Sequence, residues 1–247
     1  MKIYWFTIAE GKKYLDFFHD LRESAERVGI EIRNMVGGGL SQPASGAAHE
    51  QDWLKRQKIE GLLHAPSGYD KVVYLDADTL IQSLEGIELQ NGALKEPWGM
   101  GNVPLVCSDG GFLRRHVRKK RLMRMLEQSG LSEFCRGGKY YRQEWNSGVI
   151  IGERKFVHDL ALEWRKWWDI VTDINDGIFC RDQMSFKYAY KKIAMDQYGF
   201  ESIPLEYNWI VKRLGKNRQA KILHRAGIQA HRHVRLWQEA KAELLRP

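Results

Sequence analysis

The chain has 247 residues, of which 43% are apolar and 28% carry a charge, and its formal net charge is +8. This composition is ordinary for a globular protein and argues against intrinsic disorder. No apolar run approaches the ~18 residues of a membrane-spanning helix, and the first ten residues lack a signal-peptide pattern, so we expect a cytoplasmic protein. The length suits one α/β domain over residues 1–247.

The positions of the cysteines and of the basic residues indicate the compartment and the partners of the protein. The three cysteines are far apart and predict neither a disulfide framework nor a zinc site, which fits a reducing cytosol; they are Cys107, Cys135 and Cys180. Two basic runs contain no acidic residue: residues 207–238, with eight Lys and Arg, and a first run of Arg114, Arg115, Arg118, Lys119, Lys120, Arg121 and Arg124. Such runs predict anionic partners, including a nucleotide diphosphate, an acidic glycan, an anionic membrane surface in peripheral contact or nucleic acid, and they equally fit a solvated basic face.

Apolar periodicity predicts strands alternating with helices along the chain. Residues 37–46 (GGGLSQPASG) are predicted to form an irregular loop, and residues 84–111 carry dense turn signals without clear periodicity. The expected strands are residues 2–9, 30–35, 72–75, 103–107, 149–151 and 221–224. The expected helices are residues 15–28, 52–63, 114–128, 157–168, 182–192 and 234–245.

The most informative stretch is YDKVVYLDADTLIQ, residues 69–82. The apolar run 72–75 predicts a strand buried on both faces, and Asp76 and Asp78 follow it directly. Side chains two residues apart on an extended chain point to the same side, at the sheet edge where open α/β folds bind ligands. Two such carboxylates repel unless a cation lies between them, and a divalent ion that bridges phosphates is the simplest choice. This pattern predicts a metal–diphosphate site.

Two alternatives compete with that interpretation. A D-x-D pair after an apolar run is often a strand end that turns into solvent. The form D-x-D-x-T, completed by Thr79, also resembles the haloacid-dehalogenase phosphatases, in which the first aspartate, here Asp76, is a nucleophile. That family carries its motif close to the N-terminus and needs a later acidic pair, and this chain has no convincing one.

Four motifs stand in order along the chain: LDADTL (75–80), NSGV (146–149), RDQ (181–183) and ILHRAG (222–227). Together they resemble the glycogenin-like and lipopolysaccharide galactosyltransferase family of retaining glycosyltransferases. The resemblance implies the GT-A fold, a Rossmann-like mixed central sheet flanked by helices. It also implies transfer of a sugar from a nucleotide diphosphate, most simply a UDP-sugar, to an acceptor hydroxyl.

The resemblance assigns the metal ligands to Asp76, Asp78 and His224, with Ala77 in the same nucleotide-binding turn. Gly227 would let the backbone approach the diphosphate. Two carboxylates and an imidazole suit Mn²⁺ or Mg²⁺ and not a metal that prefers thiolates. Taken alone, His224 is more simply explained as a core or surface histidine, and the other motifs favour the ligand role.

The resemblance also assigns the residues around the sugar. Asn146 would hold the donor sugar or the acceptor, and an Asx-type cap on the turn before its strand is the competing interpretation. Asp182 would bind sugar hydroxyls and double as a helix N-cap, and Gln183 would lie near the reacting carbon. Lys58 would face the donor sugar and phosphate. Residues at the end of the first strand and just beyond it would line the base and ribose pocket: Thr7, Ala9 and Tyr14.

One departure from the family pattern concerns the grip on the leaving diphosphate. The family places a lysine three residues after the glycine, and Ala230 stands there in this chain. Arg225 or one of the cations at 231–233 is predicted to replace it. The family's longer acceptor-binding extension is also missing, so a glycan, a lipid-linked glycan or a protein all remain possible acceptors. A basic, non-catalytic nucleic-acid-binding module is the other alternative, but no specific nucleic-acid motif supports it.

Overall fold

The computed structural model describes residues 1–36, 47–95, 145–174, 181–214, 217–225 and 231–245. The predicted strand at 103–107, the predicted helix at 114–128, the loop at 37–46, all three cysteines, the first basic run and Gly227 lie outside these residues. The described helices are α1 (Lys12–Arg27), α2 (Ala47–Leu63), α3 (Arg154–Ile174), α4 (Arg181–Tyr190), α5 (Val211–Leu214) and α6 (His231–Leu244). The described strands are β1 (Ile3–Thr7), β2 (Arg33–Asn34), β3 (Lys71–Leu75), β4 (Thr79–Ile81), β5 (Gly92–Lys95), β6 (Trp145–Glu153), β7 (Trp209–Ile210) and β8 (Ile222–His224).

A five-stranded mixed sheet in the order β2-β1-β3-β6-β5 forms the centre of the fold. The first three strands are parallel, whereas β6 runs antiparallel to both β3 and β5. The carboxyl ends of β1 and β3 therefore meet at one edge, where the amino end of β6 joins them. The predicted α/β class is confirmed at this level: a mixed sheet flanked by helices.

The central strands are buried on both faces, and alternate residues enter different cores. Tyr4, Phe6 and Tyr74 pack with α2, α3 and α4 on one side. Trp5 and Val73 point to the other side, where they pack against α1. This double burial explains why β1 and β3 read as continuous apolar runs rather than as alternating ones.

A second sheet of three strands, in the order β4-β8-β7, extends the structure beyond the carboxyl end of β3. Strand β4 begins only four residues after β3 and pairs antiparallel with β8, which places Thr79 opposite His224. Ile81 and Ile222 of this sheet belong to the same apolar cluster as the α1 side of the central sheet. The small sheet thereby brings the end of the chain to the D-x-D segment.

The structure refines several sequence predictions. The strand expected at 30–35 is only two residues long, and the helix expected from residue 52 begins at Ala47. Strands β4, β5 and β7 were not predicted, because each is four residues or fewer and gains its stability from its neighbours rather than from its own pattern. None of the described helices is long and apolar enough to cross a membrane. The single-domain organisation remains a prediction.

Candidate metal centre

The two aspartates of the D-x-D motif converge through a tight turn. Thr79 donates from both its backbone N–H and its hydroxyl to the carbonyl of Asp76, at 3.1 and 2.8 Å. We expected the carboxylates to share one side of an extended chain; instead the chain reverses at 77–78 and starts β4. The carboxylates still face the same space, and both reach solvent, with side chains 24% exposed for Asp76 and 17% for Asp78.

His224 completes the cluster from the end of β8. Its Nε2 lies 3.5 Å from Asp78 Oδ1 and 3.8 Å from Asp76 Oδ2. One ligand atom from each of the three residues can be chosen so that all lie within 4.8 Å of one another. An ion held at about 2.1 Å from each ligand spaces neighbouring ligand atoms about 3 Å apart, so a small contraction of the cluster would suffice. Two carboxylates and one imidazole therefore fit Mn²⁺ or Mg²⁺.

The two neighbouring carboxylates favour a positively charged ring of His224. Burial lowers the pKa of His224, but the carboxylates of Asp78 and Asp76 act in the opposite direction and hold the pKa above its ordinary value. The protein thus prefers a positive charge in this space. A proton on the ring supplies that charge in the absence of an ion, and a divalent cation would supply more of it.

The other oxygen of Asp76 is held by two buried donors. Tyr74 donates its hydroxyl to Oδ1 at 2.5 Å, and the ammonium of Lys58 lies 2.7 Å from the same atom. Burial and the Asp76 carboxylate raise the pKa of Tyr74 well above its ordinary value, so the hydroxyl keeps its proton. Burial lowers the pKa of Lys58, but Asp76 and Asp182 offset this and raise it overall. Oδ1 is therefore anchored, which leaves Oδ2 directed at His224.

Lys58 also connects the metal cluster to the RDQ motif. Its ammonium lies 3.9 Å from Asp182 Oδ2, and Lys55, one turn earlier on α2, lies 3.7 Å from Asp182 Oδ1. Asp182 is the second residue of α4, so it lies inside the first turn and is not the N-cap that the sequence predicted. Gln183 is on the same turn, but its side chain is outside the description. Three predicted site residues, Asp76, Lys58 and Asp182, thus form one charged row.

Asn146 is buried and bonded to Gly148 and Asn208. It is 3% exposed, and its Oδ1 accepts hydrogen bonds from the backbone N–H of Gly148 at 2.8 Å and from Asn208 at 3.1 Å. This i to i+2 contact lies inside β6, which begins at Trp145, and not in a turn before the strand, so the predicted turn cap is wrong. It accompanies an irregularity in the β5–β6 pairing, where the register shifts between Ala93 and Leu94. The internal contacts of Asn146 favour a supporting role.

Position 148 requires a glycine, because three side chains approach its Cα closely. A Cβ at this position would lie 2.2 Å from His224 Cε1, 2.8 Å from Asn146 Oδ1 and 2.9 Å from Asp76 Oδ2. The Gly148 carbonyl also accepts a 2.7 Å hydrogen bond from the backbone N–H of Asp76. The glycine of the NSGV motif therefore lets β6 pass directly against the metal cluster.

The residues predicted to line the base pocket lie at the same sheet edge. Thr7 ends β1 and is fully buried, and the backbone N–H and carbonyl of Ala9 are both bonded to the Asn34 side chain. Tyr14, in the first turns of α1, is 39% exposed. Thr7 Oγ1 is buried without a hydrogen-bond partner. Thr7 and Ala9 thus lie at the carboxyl end of β1, as the resemblance requires of residues that line the base pocket.

Arg225 follows His224, and its side chain packs against Phe17 of α1. Its backbone N–H donates to the Asp78 carbonyl at 2.9 Å, and its guanidinium carbon lies 4.5 Å from the centre of the Phe17 ring. By contrast, three other cations of the second basic run are paired with acids outside the run. These pairs are Lys221 with Glu85, Arg218 with Glu243 and Arg235 with Glu239. These ion pairs offset part of the positive charge of the run in the folded protein.

Sequence reasoning missed Asn208, Tyr74 and Lys55 as parts of this site. Asn208 offered one signal, its place inside the aromatic and apolar run 207–211, because an amide buried in such a run needs hydrogen-bond partners. Tyr74 and Lys55 are ordinary for a buried strand and an amphipathic helix, so nothing in their spacing distinguishes them.

Neither the known protein-family models nor the curated protein sequences contain a match to this chain. The fold and the cluster together define an α/β protein with a candidate Asp-Asp-His metal centre at the carboxyl edge of its central sheet. The resemblance to the glycosyltransferase family therefore depends on the order of the four motifs.

Proposed function

We propose that this chain is a GT-A glycosyltransferase that transfers a sugar from a nucleotide diphosphate, most simply a UDP-sugar, to an acceptor hydroxyl with retention. One observation carries the proposal. Asp76 and Asp78 of one turn converge at the sheet edge with His224 from a distant part of the chain, and the cluster is joined through Lys58 to Asp182. Every one of these residues belongs to a motif or position that the resemblance assigns to metal, diphosphate or sugar.

The charges are arranged for a ligand that is anionic at one end and rich in hydroxyls at the other. A bound Mn²⁺ or Mg²⁺ would neutralise the negative charge that grows on the leaving diphosphate. Lys58 holds a permanent positive charge beside the metal cluster. The Asp182 carboxylate, about 4 Å further along, can accept hydrogen bonds from sugar hydroxyls. Arg225 adds a second cation at the same edge, steadied by the ring of Phe17.

The phosphatase alternative explains less of this arrangement. An aspartate nucleophile needs one free oxygen aimed at phosphorus, whereas Asp76 Oδ1 is held by Tyr74 and Lys58 and Asp76 Oδ2 faces His224. His224 beside both carboxylates has no role in that mechanism. A nucleic-acid-binding module would account for the basic runs but not for the carboxylates. The glycosyltransferase proposal uses all of these residues.

The decisive experiment is a calorimetric titration of UDP in the presence and absence of Mn²⁺. Asp76→Asn or Asp78→Asn should abolish the metal-dependent part of the binding. Asp70→Asn is the matched control, because Asp70 lies at the other end of β3 and its carboxylate bonds only the backbone N–H of Lys2 among the described contacts. Unchanged affinity in both site variants would refute the metal-site reading.

A panel of nucleotide sugars then tests the transferase activity without knowledge of the acceptor. Such enzymes slowly hydrolyse the donor when no acceptor is present, and the released nucleotide is measured. We expect release of UDP from at least one UDP-sugar. Turnover of a generic phosphate ester that Asp76→Asn abolishes would favour the phosphatase instead.

A further inference from the structure

Asn208 is a fully buried amide that joins two parts of the metal centre. It lies directly before β7, is 0% exposed and contacts both a metal-ligand candidate and the NSGV motif. Its Oδ1 lies 2.9 Å from His224 Nδ1, and its Nδ2 donates to Asn146 Oδ1 at 3.1 Å. Asn146 Oδ1 in turn accepts the backbone N–H of Gly148 at 2.8 Å.

The direction of this hydrogen-bond chain is set at its backbone end. A backbone N–H can only donate, so the Asn146 atom facing Gly148 must be its carbonyl oxygen. That oxygen can only accept, so Asn208 must turn its NH₂ group toward it. Asn208 is then left with its carbonyl oxygen facing the ring, and the adjacent Nδ1 of His224 must carry a proton.

We propose that Asn208 is a positioning residue that holds His224 as the Nδ1–H tautomer and so presents a bare Nε2 lone pair to the two carboxylates. This inference rests on the proposed function, because the arrangement is useful only if His224 binds a metal ion. A histidine ligand binds a metal through an unprotonated nitrogen, while the other nitrogen donates to a fixed acceptor. Asn208 is that acceptor, and the Gly148 backbone fixes its orientation through Asn146.

The arrangement opposes what His224 would otherwise prefer. Asp78 Oδ1 and Asp76 Oδ2 lie 3.5 and 3.8 Å from Nε2, and both are acceptors that would favour a proton on that nitrogen. A neutral ring with its lone pair toward two carboxylates is unfavourable unless a cation enters between them. Removal of the Asn208 oxygen should therefore move the proton to Nε2, where it competes with the metal.

The test is ¹⁵N NMR of the histidine rings in the metal-free protein at alkaline pH, where the imidazole is neutral and its two nitrogens are distinguishable. The His224 signals are identified by their loss in His224→Asn. Wild-type protein should show Nδ1 protonated, and Asn208→Leu should show Nε2 protonated. Asn208→Asp keeps an oxygen facing Nδ1 and should retain the wild-type tautomer, at a cost in stability because its other oxygen replaces the amide that donates to Asn146 Oδ1. Wild-type protein with Nε2 protonated would overturn the proposal, whether or not the leucine variant folds.

Tyr207→Phe is the matched control for stability. It removes one hydrogen bond of the adjacent residue, from the Tyr207 hydroxyl to the Glu85 carbonyl, without touching the metal centre. Loss of a partner of a metal-ligating histidine typically costs 10–100-fold in affinity, so Asn208→Leu should weaken Mn²⁺ binding about 10–100-fold. Tyr207→Phe should leave it unchanged.

The two proposals fail differently. Wild-type protein that binds no Mn²⁺ but shows the Nδ1–H tautomer would overturn the proposed function and leave the role of Asn208 intact. Metal binding in the wild type with the same His224 tautomer in Asn208→Leu would overturn the role of Asn208 alone.

Discussion

Substitution of Gly148 by alanine tests whether the closely packed cluster is a metal centre or only a tight part of the core. The added Cβ would lie 2.2 Å from His224 Cε1, whereas carbon atoms in contact are normally about 3.5–4.0 Å apart. The ring must therefore move by more than about 1 Å, or β6 must move away from β3. Overpacking of this kind typically costs about 1–3 kcal/mol of folding free energy.

The effect on metal binding should exceed what the stability loss alone would cause. Functional sites tolerate displacements of only about 0.5 Å, so a shift of about 1 Å in a ligand should weaken Mn²⁺ binding at least tenfold, about 1.4 kcal/mol. Affinity is measured by calorimetry or electron paramagnetic resonance, and stability by urea denaturation without metal.

Gly152→Ala is the matched control on the same strand. Its Cβ would lie 2.3 Å from Phe156 Cδ1. This contact is in the core between the central sheet and helices α2, α3 and α4, away from the carboxylates. The variant should lose as much stability as Gly148→Ala, or more, and keep its metal affinity. Equal metal affinities in the two alanine variants would refute the reasoning.

Three further substitutions test other contacts. Lys58→Met removes the cation that pairs with the partly exposed Asp76 carboxylate and should lower the free energy of unfolding by about 1–3 kcal/mol in urea denaturation with a chelator present, with part of the loss recovered on adding Mn²⁺; no loss would contradict the pairing. Burial raises the pKa of Glu163, but hydrogen bonds from lysines, including Lys192 at 2.8 Å, lower it overall below its ordinary 4.5. A lowered folded-state pKa stabilises the protein above the unfolded-state pKa and loses that effect as pH falls through the folded-state value. Glu163→Gln should therefore cost about 1–3 kcal/mol at neutral pH and progressively less below about pH 4.5, and a pH-independent difference would exclude this linkage. Arg225→Gln should lower the rate of UDP-sugar hydrolysis at least tenfold while weakening donor binding less, because negative charge on the diphosphate is greatest in the transition state. A rate within about twofold of wild type would mean that Arg225 does not stabilise the leaving diphosphate.

The sequence by itself determined the elements whose pattern is local. The apolar runs of β1, β3 and β6 and the amphipathic faces of α1 and α3 appear in the structure close to where periodicity placed them. The reason is physical: burial on both faces of a strand, or on one face of a helix, restricts every residue of the segment. The positions of Asp76 and Asp78 directly after a buried strand likewise predicted a charged site at the sheet edge.

Only the tertiary structure decided which side chains meet there. The carboxylates converge through the turn that starts β4, and His224 reaches them because β4 pairs with β8, a strand more than 140 residues away in sequence. The hydrogen-bond chain from Gly148 to His224 crosses three segments and has no local signature. Two cations of the second basic run likewise pair with acids on other elements, Lys221 with Glu85 and Arg218 with Glu243. Contacts of this kind depend on strand pairing and packing over long sequence separations, which periodicity within one segment cannot encode.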